Sequence, residues 1–186
     1  DGHAQGGANS PVDPKAETTV EDLMLDLGQV QSSRARFVEQ RRLRILEVPI
    51  ESSGLLVYQA PSKLEKITLT PTPERMSVDG DRLTIERDSE GVRHTMSLSE
   101  QPELSAIVDA VRATLAGDLA ALRRYYDVTF RGPMSGWLLE LHPIDGKLKE
   151  LVTSVRLSGR GHSITAIETT EADGDQSIMR VVEEPR

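Results

Sequence analysis

Histidine is the side chain best suited to proton transfer or metal binding near neutral pH. Three of the four histidines in this chain fall in separate predicted strands, where single histidines are usually surface or packing residues. The tripeptide at 1–3 could bind Cu(II) or Ni(II) through a free amino terminus, but we interpret it as a feature of a processing boundary. The sequence therefore predicts no catalytic or metal-binding cluster around its histidines, which are His3, His94, His142 and His162.

No nucleophile motif accompanies these histidines. The segment 132–136 has the wrong spacing for a G-x-S-x-G elbow, and a Gly-Pro turn between strands accounts for it. Phosphate-loop and dinucleotide fingerprints are missing, and the absence of cysteine excludes thiolate nucleophiles, disulfides and iron–sulfur ligands. We therefore expect a protein that is not an enzyme and has no cofactor or metal. An enzyme acting on acyl substrates through His94 or His142 is a distant alternative.

Two pairs of aspartates flank glycines at predicted turns. Asp79 and Asp81 flank Gly80, and the pair Asp173 and Asp175 has the same arrangement further along the chain. Aspartate and glycine are both favoured in tight turns, and we interpret the two pairs in that way. A weak Ca²⁺ site is the alternative, since carboxylate oxygens are the ligands that this ion prefers.

Arginines are concentrated between positions 34 and 44. We interpret this concentration as a solvated strand face that prevents pairing at a sheet edge. A site for an anionic headgroup is the alternative. The residues are Arg34, Arg36, Arg41, Arg42 and Arg44.

The composition indicates one folded domain. The 186 residues are 37% hydrophobic and 28% charged, which is too apolar for wholesale disorder. No apolar run is long enough to span a membrane. The net charge of −8 disfavours binding to nucleic acid, whose phosphates would be repelled. We expect a flexible leader or tether at 1–17 and a single domain at 18–186, in a chain that is either a processed mature form or a trimmed one.

Hydrophobic periodicity predicts the elements that follow the leader. A capping box formed by Thr18 and Glu21 begins a helix over 19–30. A long strand is expected over 33–46, with Phe37, Leu43 and Ile45 on one face. A second helix is expected over 100–115, ending at Gly117, followed by a short helical turn. Further strands are expected at 54–60, 64–70, 75–79, 82–88, 91–98, 125–131, 136–142, 151–159, 162–170 and 175–183.

About eleven strands separated by hairpin turns predict a mainly β protein with one antiparallel sheet. A twisted sheet of that size curls, and the helices would cover its concave face. Three strand segments, at 55–58, 137–139 and 180–182, are apolar on both faces. This pattern is typical either of a normal closed core or of a concave face with an apolar cavity.

The order of these elements resembles that of a known family. The relevant segments are Gly54–Pro61, Val78–Gly80, Leu115–Leu119, Tyr126–Val128 and Trp137–Pro143. Over residues 18–183 the chain is similar to the LolA-like superfamily of periplasmic carriers of outer-membrane lipoproteins, and in particular to its divergent LolA-related branch. The resemblance implies an unclosed half-barrel of about eleven strands, with a helical lid on its concave face.

The resemblance also implies a site. Acylated cargo would lie in an apolar cavity between sheet and lid. The inner face of the lid would be formed by Leu104, Ile107, Val108, Val111 and Leu115. The candidate cavity or core residues are Phe37, Leu56, Tyr58, Ile67, Met76, Leu83, Ile85, Trp137, Leu139, Val155 and Leu157.

One position departs from the carriers. They have an arginine before the proline that closes the G-x-L strand, which holds the lid shut, whereas this chain has Ala60 before Pro61. An aromatic residue seen in many carriers corresponds here to Leu64 or Lys66. The cargo could therefore be a lipoprotein or another acylated lipid.

The resemblance implies a monomeric periplasmic carrier that takes cargo from a donor and gives it to an acceptor protein of the envelope. A non-enzymatic structural or assembly partner without bound lipid is the alternative, and a cavity filled by the lid helices would favour it.

Overall fold

Residues 18–184 are described by a computed structural model, in which one curved antiparallel sheet carries helices on its concave face. The leader expected at 1–17, with His3, lies outside the described residues. The strands are β1 Ser32–Arg42, β2 Ile50–Gln59, β3 Lys63–Thr70, β4 Glu74–Asp79, β5 Arg82–Arg87, β6 Val92–Ser97, β7 Tyr126–Arg131, β8 Trp137–Pro143, β9 Val152–Arg160, β10 Ser163–Glu171 and β11 Gln176–Glu183.

The sheet has eleven strands in the order β6-β5-β4-β3-β2-β1-β11-β10-β9-β8-β7. Every neighbouring pair is antiparallel, and β1 joins the two halves by pairing with both β2 and β11. Since β6 and β7 form the two edges, the sheet is an unclosed half-barrel. The fold predicted from strand count and hairpin signals is confirmed.

Within residues 18–184, four α-helices accompany the sheet: α1 Val20–Gly28, α2 Pro102–Leu115, α3 Leu119–Tyr125 and α4 Gly146–Lys149. The first three correspond to the predicted helical segments. α4 was not predicted, because four residues are too few to show a helical period. The Asp145 carboxylate starts α4 by accepting hydrogen bonds from the backbone N–H groups of Lys147 and Leu148.

Hydrophobic side chains fill both ends of the half-barrel. At one end, α1, α2 and α3 pack on β7, β8 and β9 around Trp137, and we call this cluster the first arm. At the other end, Val78, Leu83, Leu98 and Val108 form the second arm, beneath the beginning of α2. A smaller central cluster, made by Ala35, Phe37, Met179 and Val181, lies between the arms.

Several predicted boundaries were wrong, and β2 begins at Ile50 instead of at residue 54. The capping box is formed one residue later, by Thr19 and Asp22, where side chain and backbone exchange hydrogen bonds of 3.0 and 3.2 Å. β1 ends at Arg42, not at residue 46, because the chain turns through 43–46. Apolar alternation continues into this turn, where Ile45 is 89% exposed and does not share the buried face of Phe37.

The arginine-rich strand does not lie at an edge. Since β1 pairs on both sides, its arginines cannot serve to prevent edge pairing, and that interpretation was wrong. Arg34 and Arg36 both bond the Glu184 carboxylate, at 3.0 and 3.1 Å, and this lowers the pKa of Glu184. The Arg44 guanidinium donates to the Asp173 carbonyl. Much of this positive charge is therefore matched within the chain.

The end of α2 requires glycine at position 117. Gly117 has a φ of 68°, and a Cβ there would overlap the Met24 carbonyl oxygen of α1. We predict that Gly117→Ala lowers the free energy of unfolding by at least about 2 kcal/mol, from backbone strain plus overpacking. Gly80→Ala is the control, because Gly80 has a φ of 58° but open space around it, so only about 1 kcal/mol is lost. Urea unfolding measures both variants, and equal losses would contradict the proposed helix contact.

Candidate binding cavity

A cavity of about 360 Å³ lies between α2 and the six neighbouring strands from β10 to β4. It occupies the middle of the half-barrel, between the two arms. Most of its lining is apolar. The apolar lining residues are Leu27, Val30, Ala35, Leu56, Tyr58, Leu64, Met76, Leu104, Ile107, Val108, Val111, Leu115, Ile164, Ile167, Met179 and Val181.

The cavity exists because α2 rests on both arms. Ala106 and Ala110 pack into the first arm, and Val108 packs into the second. Beneath the helix the central strands present short side chains, including Ser33 and Ala35. These side chains cannot fill the space under a helix that is fixed on both sides.

Arg112 fastens α2 to the sheet. Its guanidinium donates hydrogen bonds to the Ser62 carbonyl at 3.1 Å and the Gly80 carbonyl at 2.7 Å, in the turns after β2 and β4. The Asp109 carboxylate holds the same guanidinium at 2.6 Å. The contact between the helix and the sheet is therefore made by an arginine of α2. One of its acceptors, the Ser62 carbonyl, lies two residues after Ala60.

A partly buried ion pair lies on the cavity wall. Lys66 donates to both oxygens of Glu39, at 3.2 and 3.1 Å, and its ammonium lies 5.4 Å from the centre of the Phe37 ring. The side chain of Glu39 is only 9% exposed, so an unpaired charge there would be costly. The two charges satisfy each other, and neither is left for a ligand of opposite charge.

The end of the cavity near the start of α2 is charged. The Glu171 carboxylate lies 3.7 Å from Arg41, and burial together with Glu103 raises the pKa of Glu171. Carboxylate oxygens of Glu171, Asp173 and Asp175 lie within 4.8 Å of one another. However, Asp173 accepts a hydrogen bond from the Asp175 backbone N–H, which is typical of a turn, and Asp175 accepts one from the backbone N–H of Arg44.

Tyr58 contributes the one unsatisfied group. Its ring lines the cavity and is 3% exposed, and burial raises its pKa. Among the buried side-chain nitrogen and oxygen atoms of residues 18–184, only the Tyr58 hydroxyl lacks a hydrogen-bond partner.

The structure brings some of the predicted site residues to the cavity. All five lid residues line it, and so do Leu56, Tyr58 and Met76. Phe37 belongs to the central cluster beside the cavity. The remaining candidates lie elsewhere: Leu83 and Ile85 in the second arm; Trp137, Leu139, Val155 and Leu157 in the first arm; and Ile67 on the opposite face from Lys66 by strand alternation.

Sequence reasoning missed the contribution of β10 and β11. Ile164, Ile167, Met179 and Val181 line the cavity together with the Glu39–Lys66 pair. Because side chains alternate along a strand, Met179 and Val181 are predicted to lie on the same face of β11. Only the pairing of β11 with β1 places that face under α2, and this long-range pairing leaves no local signal.

The described histidines do not come together. His94 and His142 are exposed on β6 and β8, and His162 is at a turn beside the cavity. None of them joins a group of three ligand residues within the described part of the chain. No helix in the same part is long and apolar enough to cross a membrane.

The described residues form an unclosed antiparallel half-barrel with a helix over an apolar cavity. The family described as outer membrane lipoprotein carrier protein LolA-like matches residues 12–181. The chain therefore belongs to this LolA-like family, and the resemblance noted in the sequence is confirmed. No curated protein matches the sequence.

Several solved structures are similar to the chain. A LolA superfamily protein from Nitrosomonas europaea is 12% identical, with a TM-score of 0.48, covering 91% of this chain and 94% of that chain. MucB from the Pseudomonas aeruginosa MucA/MucB complex is 14% identical, with a TM-score of 0.46, covering 90% and 58%. A putative outer membrane lipoprotein-sorting protein domain from Vibrio parahaemolyticus is 8% identical, with a TM-score of 0.43, covering 89% and 91%.

We predict that Arg112→Ala lowers the free energy of unfolding by about 2 kcal/mol, since it removes charged hydrogen bonds to two carbonyls. Arg112→Lys recovers only part of this loss, because one ammonium cannot reproduce the guanidinium fork. Urea unfolding and amide hydrogen exchange along α2 measure the effect. Arg123→Ala is the control, since the exposed Arg123–Glu21 pair contributes less than about 1 kcal/mol. An Arg112→Ala variant as stable as this control would refute the fastening role.

Proposed function

We propose that this protein is a periplasmic carrier, which binds the acyl part of a lipoprotein or another lipid beneath α2 and transfers it to an acceptor. The observation that carries the proposal is the apolar cavity between α2 and the central strands. Membership of the LolA-like family supports it. The proposal includes no catalysis, and it treats the chain as a monomer that meets donor and acceptor proteins of the envelope.

The hydrophobic effect supplies the affinity. Each buried methylene contributes about 0.8 kcal/mol, so about ten methylenes give about 8 kcal/mol, which corresponds to a micromolar dissociation constant. Such affinity suits a carrier, because the cargo is kept from water but is still released to a better site. No covalent chemistry is needed.

Release requires α2 to move or the cargo to slide out. α2 is attached by its apolar contacts with the two arms and by Arg112, and these attachments are non-covalent. A partner that binds the open state more tightly shifts the equilibrium toward release. The chain itself then needs no nucleotide or other energy source.

Ile107→Asp tests the proposal. Ile107 lines the cavity from α2, and a carboxylate there would have to lose its hydration when an acyl chain enters. We predict that the affinity for a fluorescent fatty acyl probe, measured by titration, falls about tenfold or more (on the order of 1.4 kcal/mol per factor of ten). Leu25→Asp is the control and keeps the affinity, since Leu25 is 70% exposed on α1 and outside the cavity lining.

Two results would overturn the proposal. One is a wild-type protein that binds no acyl probe and carries no lipid after organic extraction from its native periplasm. The other is unchanged binding by a folded Ile107→Asp variant. The first result would favour the alternative of a structural or assembly partner without lipid, and the second would show that the acyl probe binds outside the cavity under α2.

A further inference from the structure

The connection between β1 and β2 carries a group of exposed aliphatic side chains. It spans residues 43–50, and we call it the hairpin tip. Ile45 is 89% exposed and Val48 is 73% exposed, while Leu46 and Ile50 are nearly half exposed. Elsewhere in the described chain the exposed large hydrophobic side chains stand singly in the sequence. Clustered aliphatic surface is unfavourable in water, so the hairpin tip indicates a place where a partner binds.

The fold holds the hairpin tip in this position. The Arg44 backbone N–H donates to the Asp175 carboxylate at 2.9 Å, and the Arg44 guanidinium donates to the Asp173 carbonyl at 2.8 Å. Both contacts attach the tip to the turn between β10 and β11. Ile45 and Val48 belong to none of the three hydrophobic clusters. These two side chains can therefore meet a partner without any rearrangement of the fold.

The hairpin tip lies at the rim of the cavity. Its last residue, Ile50, is paired with Arg41 across β1 and β2, and paired residues share one face of a sheet. Arg41 lines the cavity, and nearly half of its side chain is exposed. Glu103, which lines the same end from α2, is exposed as well. The cavity therefore reaches the protein surface beside the hairpin tip.

The composition of the hairpin tip favours lipid over protein as the partner. The residues that dominate protein interfaces are tryptophan, tyrosine and arginine, whereas leucine and valine are under-represented. Residues 43–50 contain no aromatic side chain. A stable contact with a second copy of the chain would bury about 800 Å² on each partner, which is more than four side chains on one loop supply. A bilayer interior accepts aliphatic side chains without any matching surface.

The charges at the hairpin tip fit a zwitterionic phospholipid. Arg42, at the base of the tip, is exposed and makes no hydrogen bond or ion pair with the described residues. A guanidinium pairs well with phosphate oxygens. Glu47 places an exposed carboxylate on the tip, which suits the ammonium group of the same lipid. The net charge of −8 opposes attraction to a strongly anionic surface.

We propose that the hairpin tip docks on a zwitterionic phospholipid bilayer, with Ile45 and Val48 inserted among the lipids and Arg42 at the level of the phosphates. The aliphatic side chains of the tip hold about as much hydrocarbon as one myristoyl chain, which gives reversible binding with an association constant of about 10⁴ M⁻¹. This docking goes beyond the proposed carrier function and does not depend on it. It places the charged end of the cavity next to the bilayer.

Sedimentation of the full chain with dioleoylphosphatidylcholine vesicles tests the docking. We predict that Ile45→Asp lowers the association constant about tenfold or more, because an ionised carboxylate does not enter hydrocarbon. Leu25→Asp is the matched control, since Leu25 is 70% exposed on α1 and the two variants have the same net charge. This control binds the vesicles like the wild type. Both substitutions are at exposed positions, and the unfolding temperature of each variant checks that it is folded.

A fluorescent label shows which part of the protein contacts the lipid. The chain has no cysteine, so a single introduced cysteine carries a polarity-sensitive dye at one position. We expect the emission of the dye on Ile45→Cys to shift to shorter wavelength when vesicles are added. The dye on Leu25→Cys keeps its emission, because that face of α1 stays in water.

Several results would overturn the docking. They are a wild-type protein that does not sediment with the vesicles, equal binding by Ile45→Asp and Leu25→Asp, and a dye at position 45 that does not respond. Binding to phosphatidylglycerol vesicles alone, lost at high salt, also overturns it, because that result assigns the contact to arginines. A lipid-free dimer that Ile45→Asp dissociates assigns the hairpin tip to a second copy instead.

The carrier function is tested separately in the same variants. Ile45 is not among the residues that line the cavity, so a folded Ile45→Asp variant keeps its affinity for a soluble acyl probe. Loss of vesicle binding with intact probe binding supports the docking. If the wild type binds vesicles but no acyl probe, the carrier function fails and the docking stands.

Discussion

The separation between α2 and the central strands is the constraint on which the site depends. The helix packs into the first arm through Ala106 and Ala110 and into the second arm through Val108. Close packing of both arms leaves the helix no way to descend toward β1 and β11 without breaking one of them. Because Ala35 is small, the central strands do not fill the space below. An unfilled interior, which most folds avoid, therefore follows from two well-filled ends.

Polar and charged side chains also line this space, and they differ in kind. Glu39 and Lys66 neutralise each other through two hydrogen bonds, so they add polarity without net charge. The buried Tyr58 hydroxyl has no hydrogen-bond partner among residues 18–184. A mostly apolar wall is suited to hold a hydrocarbon chain. Charged side chains lie at both ends, with Arg41, Glu103 and Glu171 at one end and Glu183 at the other, and burial raises the pKa of Glu171.

Local periodicity predicted the cavity-lining residues of the lid better than it predicted those of the sheet. The spacing of Leu104, Ile107 and Val111 determines their common face, because a helix presents its side chains independently of the rest of the fold. In strands, alternation shows only which residues share a face. Leu56 and Trp137 therefore looked equivalent, although the first lines the cavity and the second is packed in an arm. Their distance from α2 depends on strand order and on the packing of the arms, which no short segment encodes.

The central claim is that an acyl chain lies under α2, between the two arms. Isotope-filtered NMR on the methyl-labelled protein with an unlabelled palmitoyl ester tests it most directly. The account predicts nuclear Overhauser contacts from the chain methylenes to the methyl groups of Leu56, Val111 and Met179, which line the cavity. It predicts no such contacts to Leu83 and Leu139, which are fully buried in the arms. Contacts confined to the outer surface, or a chain that reaches the arms but not Val111, would contradict it.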